Sequence, residues 1–188
     1  MGELLFKIRG YTPIPFFLIS VIYQQPQQGL IILGLVLILW GELLRLWGVS
    51  FAGGATRTRK VGAPELVTNG PYAYLRNPLY LGNIFLYSGV VLAFGGWLPH
   101  LLFLVIFFFS FQYILIVKLE EKKLSELFGE EYKRYIELVP RFIPRLSPYP
   151  DRTKIQPNLL GALKSEKSTF IVISALLIIF LIRACLIP

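Results

Sequence analysis

Four stretches of about twenty residues, each rich in Leu, Ile, Val and Phe, set the limits on what this chain can fold into: 29–50, 78–97, 98–117 and 168–187. Each is about the length at which a helix crosses the hydrocarbon core of a bilayer. A fifth run, 11–23 (YTPIPFFLISVIY), is shorter and holds two prolines, so it either crosses at a tilt or dips in and returns. With 55% of its 188 residues hydrophobic, the chain carries more apolar surface than a soluble domain of this size buries. The expected fold class is all-α: a polytopic membrane protein of about five transmembrane helices, forming one domain over 1–188. No small-residue cleavage site follows the first apolar run, so that run is expected to stay in the mature protein. The single cysteine, Cys185, falls in the last apolar run and excludes an intrachain disulfide.

The formal charge is +8, and its placement says more than its size. If all five runs span, Arg183 is the single exception among 19 Lys and Arg residues to a one-sided distribution over the amino terminus, the 51–77 loop with Arg45 at the end of the run before it, and the 118–167 segment. The opposite loops, QQPQQ and GGWLPH, have none. By the positive-inside rule the charged segments are cytoplasmic, which points away from nucleic acid and toward membrane lipids as partners. No obligate protein partner is evident. The turn between 78–97 and 98–117 is too short to hold a domain, so these runs form an antiparallel hairpin flanked by the two polar segments. Chemistry is expected in those segments.

On the exit side of the hairpin, Leu124, Leu127, Phe128, Tyr132, Tyr135 and Leu138 recur at steps of three or four and mark one face of a helix. Gly129 interrupts it, which implies a kink, a close contact or two short helices, and Pro140 and Pro144 end it. A basic amphipathic helix lying on anionic lipid is one reading. The carboxylates Glu120, Glu121, Glu130 and Glu131 weigh against it. Glu120 and Glu121 stand where the helix leaves the membrane and need cationic or hydrogen-bonding partners, either structural ion pairs with Arg76, Lys118 or the 57–60 cluster, or a ligand. On the entry side, Asn77 can cap a helix whose first residue is Pro78. The free amides of such a helix start attract hydrogen-bond acceptors. Tyr72, Tyr74 and Tyr80 are either interfacial belt residues or the wall of a pocket.

Other sites are poorly supported. There is no GxGxxG or Walker loop, and one histidine, His100 in the opposite turn, builds neither a metal cluster nor a catalytic triad with the cytoplasmic residues. No metal is expected. Glu42 and Arg45 form an i,i+3 pair, structural or part of a polar path through the membrane.

ELVTNGPYAYLRNPLYLG (65–82), followed one hairpin later by EEKKLSELFGEEYKRYIELVPRFIP (120–144), resembles the isoprenylcysteine carboxyl methyltransferase and phospholipid methyltransferase superfamily of integral membrane enzymes. The resemblance covers about 50–145, and helix 168–187 lies beyond it. It implies methyl transfer from S-adenosylmethionine to a lipophilic acceptor, with a cytoplasmic helical segment in place of a Rossmann domain, in a prokaryotic inner membrane or the endoplasmic reticulum. Carried onto this chain, it places the cofactor against Pro64, Glu65, Leu66, Val67, Tyr72, Asn77, Pro78, Leu79, Tyr80 and Glu120. Arg57 falls near a further contact. Arg76 and Glu121 would stand beside the reacting groups as catalytic residues. The chain departs from the pattern at Asn77, where the family usually has histidine, and at Ile116, where the isoprenylcysteine enzymes have the arginine that precedes the glutamate. The second departure weakens the carry-over of a carboxylate acceptor, and Lys118 projects in another direction. The rival functions are a membrane scaffold that binds anionic lipid and, on Glu42 and Arg45 alone, a small transporter.

Overall fold

The computed structural model describes residues 2–53 and 62–186, without the side chains of 184–186. Arg57, Arg59 and Lys60 lie outside the described residues. Six α-helices follow one another: α1 (Gly2–Ile8), α2 (Ile14–Ile22), α3 (Gln28–Ala52), α4 (Pro78–Phe94), α5 (His100–Leu138) and α6 (Leu159–Leu186), with a short 3-10 turn at Gly70–Ala73. The described residues are all-helical, as the apolar runs imply.

The expectation of five spanning helices is corrected. Among the described residues three helices are long and apolar enough to cross a membrane by length and composition, Gln28–Ala52, His100–Leu138 and Leu159–Arg183, and the apolar α4, at 17 residues, stands at the short end of the spanning range and closes the hairpin with α5. The run at 11–23 yields only the nine residues of α2, roughly 13.5 Å of helix at 1.5 Å per residue. Its prolines are the reason. Pro13 and Pro15 lack the amides that would continue α1, and the chain turns over 9–13, where Tyr11 and Ile14 donate backbone bonds to Ile8 and Tyr11. The segment still reaches both ends of the hairpin. Gly2 lies against Leu115 and Leu119 of α5, while the Gln25 amide donates to the Phe94 carbonyl at 2.9 Å where α4 ends.

Two helices are longer than their apolar runs. α5 continues through the polar stretch to Leu138, and Gly129 bends it with φ 51° and ψ −121°, a left-handed φ that glycine tolerates. Nothing lies within 4 Å of a Cβ there, so the glycine marks a kink rather than a close contact. α6 begins at Leu159, nine residues before its apolar run. Asn158 supplies the cap, its Oδ1 accepting the Gly161 amide at 2.8 Å.

α3 and α4 form the tightest pair in the molecule. Gly34, Gly41 and Gly48 recur every seven residues on α3 and face Gly89, Gly82 and Leu79 of α4. A Cβ on Gly34 would sit 2.5 Å from the Gly89 carbonyl oxygen, and one on Gly41 would sit 2.6 Å from that of Gly82. Between helices in lipid, where no hydrophobic effect drives association, this backbone approach supplies the packing. It holds the start of α4, Pro78 and Tyr80, at a fixed height beside Arg45 of α3. The remaining core joins α1 and α2 to the hairpin through Phe6, Phe16, Phe109 and Tyr113, with Phe16 and Phe109 rings 5.4 Å apart.

Candidate active site

The segments before and after the hairpin are sewn together by their backbones. The amides of Arg76, Arg145 and Tyr149 donate to the carbonyls of Pro140, Tyr74 and Ala73 at 2.9, 3.0 and 2.9 Å. The Tyr135 hydroxyl donates to the Tyr72 carbonyl at 2.7 Å, and Asn69 Nδ2 to that of Ile155 at 2.7 Å. Between them lies a buried cluster of Leu66, Ala73, Tyr132, Tyr135, Val139 and Tyr149. Tyr132 and Tyr135, on the apolar face of the amphipathic helix, are therefore covered by protein rather than by lipid.

At this junction, running down between the helices, lies an open-sided cavity of about 770 Å³, within the range of small-molecule sites. Pro64, Glu65, Leu66, Val67, Tyr72, Arg76, Asn77, Pro78, Leu79, Tyr80, Glu120 and Glu121 all line it. The chain positions them by three devices: the irregular 62–67 stretch with its bend at Pro64–Glu65, the 3-10 turn that Tyr135 anchors, and the first turns of α4 opposite α5.

Adjacent residues on a helix point about 100° apart, and the paired glutamates use that divergence. Glu121 turns to a guanidinium clamp: Arg76 Nη1 at 2.9 Å, and Arg141 through Nη2 at 2.6 Å and Nε at 3.0 Å. The expected ion pair with Arg76 thus forms with Glu121. Glu120 turns into the cavity, where its Oε1 accepts the Tyr80 hydroxyl at 2.9 Å. Tyr80 is itself held by stacking on Tyr113, ring centroids 4.5 Å apart. Glu120 lies past the apolar part of α5, which ends at 117. Burial pushes its carboxyl up to about 7, the Tyr80 hydrogen bond and the positive charge of Arg9 pull it partly back, and Glu121 adds to the rise. A carboxylate so placed is short of positive partners and suited to accept hydrogen bonds from a ligand's ammonium or hydroxyl groups.

Asn77 does not cap α4 with its side chain, which corrects the expectation. Its Nδ2 donates instead to the Arg141 carbonyl at 3.2 Å, another stitch between the two segments, while Pro78 does occupy the first helical position. Arg76 lines the cavity with its guanidinium held by Glu121. Ile116 is fully buried in the core, and Lys118 is exposed and does not line the cavity, so neither supplies the cation of the isoprenylcysteine pattern.

Two features of the site lay outside the motifs. Arg9, from the turn after α1, lines the cavity and stacks on the Phe6 ring at 3.8 Å. Deeper, where the walls become apolar with Phe17, Val172, Ile173 and Leu176, the Glu42–Arg45 pair forms as expected, Arg45 Nε lying 3.3 Å from Glu42. It is joined by Glu166 of α6, which accepts from Arg45 Nη2 and, at 2.7 Å, from Thr169 Oγ1. Asn83 Oδ1 accepts from Arg45 Nη1.

The chain matches the phospholipid methyltransferase family model over residues 30–131, from the start of α3 to the kink of α5. It is 33% identical over 149 residues to protein-S-isoprenylcysteine O-methyltransferase of Schizosaccharomyces pombe, covering 76% of this chain and 60% of the relative. A nickel-cobalt-cadmium resistance protein of Alcaligenes xylosoxydans xylosoxydans is 31% identical over 63% of this chain and 52% of its own length. Methanethiol S-methyltransferase 1 of Bradyrhizobium diazoefficiens is 35% identical over 82 residues, 43% of this chain and 27% of the relative. The chain spans 60% or less of the length of each of these relatives. The family match takes in both the entry to the hairpin and the glutamate pair at its exit, and the described residues hold three apolar helices long enough to cross a bilayer. The chain is a helical membrane protein that belongs to the phospholipid methyltransferase family.

Proposed function

We propose that this protein transfers a methyl group from S-adenosylmethionine to a lipophilic acceptor, at the cytoplasmic face of the membrane it spans. The observation that carries the proposal is the convergence of the 64–80 stretch and Glu120 on one cavity that continues from the polar segments into the apolar helices. A charged, water-borne donor and an acceptor that stays in the bilayer need such a cavity, polar at one end and apolar at the other. The cytoplasmic placement rests on the distribution of lysine and arginine.

The residues present fit the donor. Glu120 accepts from its ammonium or hydroxyl groups, held in place by Tyr80, and Leu66, Val67 and Leu79 offer apolar surface. S-adenosylmethionine supplies an electrophilic methyl on a positively charged sulfur. The transfer is an in-line displacement that depends on orientation and proximity, so the chain's task is to align two ligands and keep water away. Arg76 and Glu121 brace the wall beside the reacting groups through their ion pair. The relatives' names attach to different acceptors, an isoprenylcysteine for one and methanethiol for another, and the acceptor of this chain is to be found by experiment. Lipid extract incubated with the protein and an isotopically labelled donor should yield a labelled lipid by mass spectrometry, in a reaction suppressed by S-adenosylhomocysteine. No labelled product from any lipid class, together with no binding of S-adenosylhomocysteine, would refute the proposal.

A pH dependence follows from Glu120. Binding of an ammonium group requires the carboxylate, so affinity for S-adenosylhomocysteine should rise with pH to a plateau above about 7, losing up to about tenfold per unit below it. Isothermal titration at pH 6 and pH 8 measures this, and Glu120→Gln should flatten the profile. The sign for stability is opposite. Because the unfolded state ionises first, this raised carboxyl contributes stability that is present below the ordinary glutamate range and lost as pH rises through about 7.

A further inference from the structure

Protein covers the apolar face of the amphipathic stretch of α5, but it leaves bare the loop that follows. Ile143 is 79% exposed and Leu146 fully exposed, the highest values of any large hydrophobic side chain among the described residues. The next two, Leu160 and Phe107, stand on helices long enough to span a bilayer. Ile143 and Leu146 stand between α5 and α6, where two bare aliphatic side chains so close together are unfavourable in water. The loop is not slack. The carbonyls of Pro140 and Arg141 accept from the Arg76 amide and from Asn77 Nδ2, and the Arg145 amide donates to the Tyr74 carbonyl. Residues 142–144 are thus held between two fixed points on the wall of the cavity.

Two contacts set the height of the loop. Arg141 Nη2 pairs with Glu121 at 2.6 Å, and Glu121 stands four residues past Val117, where the apolar part of α5 ends. Four residues are about 6 Å of helix, a depth that falls in the headgroup layer, roughly 5–7 Å on each side of the hydrocarbon core. Phe142 packs on the core cluster that contains Phe6, Ile116 and Val117, the last turn of that apolar part. Charge completes the match. The loop 139–150 (VPRFIPRLSPYP) has two arginines and no carboxylate, and Arg141 stays 45% exposed beside its ion pair. At the same level α5 presents Lys118 and Lys122, both exposed. Apolar tips with cations at their base suit an anionic lipid interface, the phosphates taking the cations and the upper acyl chains the tips. From this arrangement we infer that residues 141–147 form a lipid-docking finger: Ile143 and Leu146 enter the anionic leaflet on the side of the polar segments, and the docked finger steadies the 74–77 wall of the cavity through its backbone bonds. The partner is the surface of the bilayer itself, selected by headgroup charge. The inference goes beyond methyl transfer and holds whatever ligand the cavity takes.

The test uses the full chain in nanodiscs of phosphatidylcholine, with or without phosphatidylglycerol. Leu146 is fully exposed, so it can be replaced without loss of packing. A fluorescent dye on Leu146→Cys, in a Cys185→Ser background that leaves no other thiol, should be quenched by lipid carrying a nitroxide near its headgroup. Quenching should be strong in the anionic discs and weak in the neutral ones. The same dye on Glu130→Cys, past the kink where the side chain is 74% exposed, should stay in water in both. By hydrogen exchange, the amides of Arg76 and Arg145 should open about fivefold or more slowly in the anionic discs, since each basic residue near such a surface adds about that factor. Leu146→Glu should remove the difference. Quenching at 146 no stronger than at 130 would put the finger in water or against another protein and overturn the inference. Equal quenching with and without phosphatidylglycerol would overturn the selection by headgroup charge, and exchange that ignores the lipid while 146 is quenched would overturn the link to the cavity wall.

Discussion

Glu120→Ala should weaken binding of S-adenosylhomocysteine by about 10- to 100-fold, the effect of losing charge-assisted hydrogen bonds of about 1.5–3 kcal/mol. The size follows from the surroundings. Glu121 is committed to Arg76 and Arg141, so no neighbouring carboxylate can take over. The burial that raises the Glu120 carboxyl to about 7 also limits how far water can compensate. Glu120→Gln retains a hydrogen-bond acceptor and should lose less. Tyr80→Phe removes the hydroxyl that fixes the carboxylate but leaves the ring stacked on Tyr113, so it should cost several-fold rather than a hundredfold. Titration calorimetry on the three purified variants checks the order. Wild-type affinity in Glu120→Ala would remove Glu120 from the donor site.

Gly41→Val should destabilise the fold by about 3 kcal/mol or more, lowering the thermal midpoint by roughly 6–12 °C. The added Cβ alone would lie 2.6 Å from the Gly82 carbonyl oxygen and 2.8 Å from the Leu86 amide nitrogen. Both are backbone atoms of a hydrogen-bonded helix and cannot swing aside as a flexible side chain could. Relief requires α3 and α4 to separate, and that separation displaces Arg45 on one side and Pro78 and Tyr80 on the other. Binding of S-adenosylhomocysteine should therefore fall with stability. Gly29→Val is the control, because nothing lies within 4 Å of a Cβ at Gly29 on the same helix. Equal melting of the two variants, followed by fluorescence in detergent, would show that the glycine seam does not hold the pair together.

How far the sequence discloses this molecule depends on the range of the interaction. The long helices are legible because lipid selects for length and apolar content, both local properties. The break at α2 was foreshadowed by its prolines, and the kink at Gly129 by glycine inside a helical pattern. The convergence of 64–80 with Glu120 was legible through the paired motifs, since a short hairpin must bring its two flanks together. The side-chain role of Asn77 was not, because a cap competes with the Arg141 carbonyl, 64 residues away, and nothing local reports that competitor. The seven-residue spacing of Gly34, Gly41 and Gly48 is written in the chain, yet which helix meets it becomes apparent only when Gly82 and Gly89 face it. Glu166 is the clearest case of concealment. Lys164, Glu166 and Lys167 give the start of α6 the look of a loop, so the apolar run begins only at Ser168, and the partner that draws Glu166 inward is Arg45, 121 residues earlier. A buried ion pair between distant helices leaves no periodic signature.

The central claim is that the segments on either side of the α4–α5 hairpin enclose one methyl donor. Ultraviolet cross-linking of radiolabelled S-adenosylmethionine to the full chain, followed by peptide mapping, tests it most directly. The account predicts label in peptides from both 62–80 and 113–132, abolished by excess S-adenosylhomocysteine. Label confined to peptides outside both stretches, or incorporation that S-adenosylhomocysteine does not compete away, would contradict it.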